Sequence, residues 1–167
     1  MRQSNYNKPN ITMRLVSFFT SISLLFLSMS TFAMNVDELL TDEQLVVSME
    51  LTNETDLIPN EPAVYKIEVH SANPFFENMV LSYIDVANTV VVPPSENTKL
   101  DVRTIEGKDW FVQSKKVIIY PLQSGEFIVP EMAINVSINL DNQEKIVGQV
   151  ATKSQSFKVN EAPSELS

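Results

Sequence analysis

The stretch Asp109–Glu131, DWFVQSKKVIIYPLQSGEFIVPE, decides the fold. Asp109–Tyr120 reads as a long strand, rich in the aromatic and β-branched residues that suit a pleated, half-buried surface. Pro121 cannot donate to a ladder and Gly125 can take a positive φ, so the chain leaves one sheet between them. Phe127–Val129 then forms a short strand closed by Pro130. A strand, a corner and a second strand build two packed layers of sheet. Within Trp110–Tyr120 neither set of alternate residues is purely apolar. That predicts a bulge or burial on both sides near Ser114–Lys116.

Working outward, the same period-2 grammar recurs. Upstream, Leu100–Ile105 pairs with the long strand through a turn at Glu106-Gly107-Lys108-Asp109. Met79–Val92 is apolar without a clear phase, two short strands broken near Asp85–Asn88. Leu45–Thr52 places Leu45, Val47, Met49 and Leu51 on one face, and Ala63–Ser71 places Ala63, Tyr65, Ile67 and Val69 inward with Lys66, Glu68 and His70 outward. Pro59-Asn60-Glu61-Pro62 is the turn between them. Downstream, Met132–Leu140 alternates most cleanly, with Met132, Ile134, Val136, Ile138 and Leu140 inward. Asp141-Asn142-Gln143 turns into Lys145–Thr152, and Ser156–Val159 closes the fold. The expectation is an all-β, immunoglobulin-like antiparallel sandwich of about seven to nine strands over residues 45–160.

What precedes and follows this body has a different character. Residues 1–33 carry three bases (Arg2, Lys8, Arg14) and no acid, then the uncharged run Leu15–Phe32, then Thr31-Phe32-Ala33 with small residues where a signal peptidase reads. That is the layout of a secretory signal peptide. The alternative is an uncleaved inner-membrane anchor through residues 15–33, a span of 19 residues that includes seven Ser or Thr. Either way the chain is expected to be exported, to the periplasm or beyond. Residues 34–44 read as an acidic linker or one helical turn, and 161–167 as a flexible tail.

Composition excludes several classes. The net charge is −9 over 167 residues, and the part after residue 33 holds nine bases against 21 acids. Such a body is repelled by nucleic-acid backbones and anionic lipid, which leaves an uncleaved leader as the route to a membrane. With no cysteine and a single histidine, disulfides, thiolate sites and His-pair zinc sites are excluded. No Gly-x-Ser-x-Gly motif occurs, and any Ser–His pair would need His70, which the strand phase puts on the wet face. The acid clusters Asp37-Glu38, Asp42-Glu43 and Asp141–Glu144 lack the central Gly of a calcium loop. No cofactor, metal or catalytic constellation is expected, and the chain reads as a non-enzyme. Three aromatics remain as candidate contacts with a partner: Phe75 and Phe76, in the loop Asn73–Asn78, and Trp110. A sheet edge that accepts a partner strand is a further option, with the edge unspecified.

The run Arg103–Pro130 also carries a resemblance. Ile105-Glu106-Gly107, Trp110-Phe111, Tyr120-Pro121, Gln123-Ser124-Gly125-Glu126 and Ile128-Val129-Pro130 follow, in order, a pattern similar to that of the BatD family of bacterial envelope proteins associated with oxygen tolerance. The similarity is tight there and looser over Asn60–Val159. It implies an exported β-sandwich that serves protein interaction in envelope stress or assembly. The partners it implies are von Willebrand-type domain proteins and a MoxR-type AAA+ ATPase, and the family has no catalytic residues to transfer. Family members usually hold several such domains and end in a transmembrane helix. This sequence shows one domain and no apolar run of that length after residue 33, so a soluble form or the leader must serve. The alternative function is a carbohydrate- or small-ligand-binding sandwich, or a small glycan-active enzyme, using exposed aromatics beside carboxylates.

Overall fold

A computed structural model describes residues 35–53, 56–140 and 143–163. The proposed leader, most of the tail and part of the Asp141–Gln143 turn lie outside the described residues.

Among the described residues one short helix and ten strands follow in order: α1 (Val36–Thr41), β1 (Leu45–Leu51), β2 (Ala63–Ser71), β3 (Val80–Leu81), β4 (Thr89–Val92), β5 (Lys99–Ile105), β6 (Lys108–Pro121), β7 (Gly125–Val129), β8 (Ala133–Asn139), β9 (Lys145–Ala151) and β10 (Gln155–Val159). The expected immunoglobulin-like, antiparallel β-sandwich is present, with ten strands among the described residues rather than seven to nine; β3 and β4 are the two short strands expected within Met79–Val92. One layer is a five-stranded sheet ordered β1-β2-β6, with β4 and β5 both lying along the far side of β6. The other is split into two pieces, β7 with β10 and β3-β8-β9. All pairings between these strands are antiparallel. The corner after Tyr120 is where β6 ends in the first layer and β7 begins in the second, as the proline and glycine require.

The inward residues meet as one cluster. Ala63, Tyr65, Ile67 and Val69 of β2, Val117 and Ile119 of β6, and Ile134, Val136 and Ile138 of β8 are all buried in it. Tyr65 meets Phe157 edge-on at 6.1 Å between ring centroids, and Phe157 stacks on Phe127 at 5.2 Å. The Tyr65 hydroxyl is buried there without a hydrogen-bond partner, and burial pushes its pKa up to about 12.

Of the two alternatives expected in β6, no bulge occurs against β2, where the register runs unbroken from Ala63↔Ile119 to Ser71↔Phe111, and burial on both sides does, at Val112, Gln113 and Ser114. The irregularity sits on the opposite side, where β4 stops at Val92↔Ile118 and β5 starts at Lys99↔Ser114. The intervening loop is held by the Lys115 ammonium, which donates to the carbonyls of Ser95 and Glu96. The β5–β6 turn has two residues, not four, since Ile105 pairs directly with Lys108. Glu106 and Gly107 both take positive φ, 53° and 78°, the backbone of a type I′ hairpin. Of the two readings of residues 34–44, linker or helical turn, the turn is present as α1. Asn35 and Glu38 form a reciprocal capping box, and Val36 and Leu39 are buried. Val36 seats on β9 at Gly148, where an added Cβ would stand 2.9 Å from the valine Cβ.

Candidate functional site

The long strand β6 divides the candidate residues between its two faces. Phe111 and Gln113 look toward the second layer, Trp110 and Val112 away from it. The structure therefore brings Phe75 and Phe76 together beneath the sheet, and keeps Trp110 apart from them.

On the inner side, the Asn73–Asn78 loop is tied to β8 by main-chain hydrogen bonds, Phe76 N–H to the Ser137 carbonyl and Asn139 N–H to that of Pro74, both 2.8 Å. Gln113, only 1% exposed, clamps the loop from β6. Its amide nitrogen donates to the Glu77 carbonyl at 2.9 Å and its oxygen accepts from Met79 N–H at 2.6 Å. Such a buried amide is tolerated because both ends are satisfied. Phe75 packs against the core. Phe76 is 46% exposed, with the Lys145 ammonium 3.1 Å from its ring centroid. Between this loop and β5 opens a hollow of about 780 Å³. Its apolar lining comes from Phe75, Phe76, Phe111, Leu100 and Val102.

β5 supplies the open edge that the sequence pattern left unspecified. It pairs only with β6. Leu100 and Val102, on the face where a core would lie, are 64% and 59% exposed. The two-residue turn fixes which main-chain groups are spent. Ile105, closing the hairpin, bonds to β6, and by alternation so do Arg103 and Asp101. The N–H and C=O groups of Leu100, Val102 and Thr104 therefore point to the open side. In accord with that direction, Val102 N–H donates to its neighbour, the Asp101 carboxylate, at 3.0 Å.

The outer face is not the wet surface that alternation suggests. Glu68 is 8% exposed. Arg103 grips it with two hydrogen bonds of 2.9 and 3.1 Å, the Lys66 ammonium stands 2.7 Å away and His70 Nε2 3.3 Å. The Arg103 hydrogen bonds, more than those from Lys66 and His70, hold the Glu68 carboxyl down to about 2 against the opposing effect of burial. The same contacts raise Arg103. Arg103 also donates to Asp101 and lowers it. His70 is correspondingly half-buried rather than free, its ring 6.4 Å from that of Trp110 and nearly perpendicular to it. Trp110 is half-buried, and Lys108 lies 4.3 Å from its ring centroid. Acids do border this outer hollow of about 760 Å³, among them Asp42, Glu50 and Glu106. One face of the indole is covered by the lysine.

Among the described residues no cluster of His, Cys, Asp and Glu is arranged to hold a metal ion, and no helix is long and apolar enough to cross a membrane. No family model matches the chain and no curated protein matches it. Among solved structures it is similar to an ASH/PapD-like domain of human CEP192 (PapD-like domain 7), at 9% identity over 71% of this chain and 87% of that one, with a TM-score of 0.33.

Proposed function

We propose that this chain is a non-enzymatic, exported protein-interaction module of the cell envelope. On this reading it works with von Willebrand-type proteins and a MoxR-type ATPase system in the way its BatD-like corner implies. The single observation behind the reading is β5: an open strand edge whose exposed Leu100 and Val102 overhang an apolar hollow. Exposed edges of this kind are normally blunted, because unpaired main-chain groups recruit other strands. A protein that keeps one has a use for it as a template for strand addition, where main-chain bonds supply affinity and alternate side chains supply specificity.

Photo-crosslinking in intact cells tests the proposal. A benzophenone side chain at Leu100 or Thr104 is expected to trap a von Willebrand-type protein, and the same group at Val147, equally exposed on β9, is not. Equal yields at both places, or no adduct at β5, would refute the proposed docking.

A further inference from the structure

Charge is distributed unevenly over the described body, and the unevenness centres on β5. The span Lys99–Lys116 holds five of the nine bases that follow residue 33 and only three of the 21 acids. Everything else after residue 33 is strongly acidic. At the Lys99 end of β5, a hollow of about 400 Å³ is lined by Lys66, Lys99, Lys115 and Lys116. Lys66 and Lys116 stand directly opposite each other on neighbouring strands, an arrangement that costs stability when nothing neutralises it. Lys66 shares Glu68 with Arg103, and Lys115 bonds to loop carbonyls. Lys99 and Lys116 have no ion-pair partner among the described residues. In the same hollow the Thr98 hydroxyl is buried without a hydrogen-bond partner.

We infer that the open edge of β5 takes an extended segment of a partner protein whose apolar residues alternate along Leu100–Thr104 and whose end beside Lys99 is acidic. This rests on the docking reading above and names the chemistry of the partner. The outward main-chain groups of Leu100, Val102 and Thr104 pair with the segment, and its inward side chains fill the hollow under Phe75 and Phe76. Its carboxylates continue past Lys99 and relieve the Lys66–Lys116 repulsion, with Thr98 able to donate. Charge complementarity of this kind selects partners and register more than it adds affinity. A second copy of the chain offers no such acidic run: a two-fold pairing of β5 is antiparallel and would bring only Glu106 of the other copy toward Lys99. Asp101 sets the threshold for entry: its carboxylate must swing off Val102 N–H before a strand can pair.

Two synthetic peptides with the same alternating Val/Thr core, one flanked by glutamates and the other by lysines, distinguish the inference from the reading it rests on. Titrated into the full-length chain at low salt, the glutamate peptide is expected to bind on the order of tenfold more tightly, with the difference shrinking as salt screens it. Lys66→Gln, Lys99→Gln and Lys116→Gln combined should erase the preference and leave core binding. Val102→Pro removes an outward N–H without touching the β6 ladder, and should abolish binding of both. Equal binding of the peptides, or a preference for lysine, overturns the acidic-partner inference and leaves the docking edge standing. Binding of neither overturns both. A concentration-dependent dimer held through β5 assigns the edge to a second copy and likewise overturns the inference.

Discussion

The two faces of β2 are made of opposite materials, and each holds a buried centre, Tyr65 and Ile67 inward and Glu68 outward. Inward, Ala63, Tyr65, Ile67 and Val69 are sealed in the core. Outward, Lys66, Glu68 and His70 are covered by their own ion pairs and by Arg103 reaching across from β5. The first face is dry because apolar area leaves water. The second is dry at Glu68 because enough donors replace the water it loses. The lesson is that alternation reports which side of a strand meets the core, and says little about how wet the other side is.

The largest expected effect breaks the inward half of this comparison. Val136→Asp places an unpaired carboxylate where the side chain is fully enclosed, and should cost about 3–5 kcal/mol in urea unfolding. A loss below about 1 kcal/mol would show that β8 does not face the core. The next largest probes the outer face. Glu68→Gln keeps the shape and removes the charge that Arg103 grips, and should cost about 1–3 kcal/mol. The acid dependence follows from the depressed carboxyl. Its ordinary value is 4.5 and its folded value about 2, so the contribution is complete above about pH 4.5 and disappears as pH falls toward 2. Over that window wild type should lose at most roughly 3 kcal/mol from this group, less after solvent screening at the half-exposed Arg103 and Lys66. Glu68→Gln should flatten that slope, and an unchanged slope would remove Glu68 from the account.

A smaller effect of opposite sign is expected at Tyr65. Tyr65→Phe deletes a buried hydroxyl that has no partner, so stability should stay level or rise by about 1 kcal/mol. It should also remove a loss of stability that wild type shows as pH rises from 10 toward the folded value of about 12. A drop of more than about 1 kcal/mol would mean that the hydroxyl is bonded after all. Smallest is Asn135→Asp, one residue from Val136 on the exposed side of β8, where Gln149 donates to its oxygen at 3.1 Å. The carboxylate accepts the same bond, and the unfolding free energy in urea should change by no more than about 0.5 kcal/mol.

These contrasts also show what a single sequence makes legible. Met132–Leu140 was readable because each inward position is aliphatic and each outward one small or polar. The corner at Tyr120-Pro121 was readable because proline and glycine act locally. Gln113 was not: its burial depends on Glu77 and Met79, more than 30 residues away. The apparent break in the apolar pattern is therefore a polar clamp with both faces of the strand buried, rather than a bulge. Glu106-Gly107 concealed a two-residue hairpin because glutamate is an uncommon occupant of a positive φ. The Asn35–Glu38 spacing of a capping box was present in the sequence, in a helix too short to display a periodic face. Of the candidate contacts, the aromatic loop at Phe75-Phe76 was found from its composition. The strand beside it is legible as a strand but not as an open edge, since Leu100 and Val102 look like core residues and yet are exposed.

Docking at β5 requires an open edge in the register set by its two-residue turn, and amide hydrogen exchange reads that directly. Along β5 the amides of Asp101 and Arg103, bonded to β6, should exchange slowly, while those of Leu100 and Thr104 exchange at nearly the rate of an unstructured chain. Protection at Leu100 and Thr104 in the isolated protein, or slow exchange shifted by one residue, would mean that the edge is closed or the hairpin out of register, and would contradict the account.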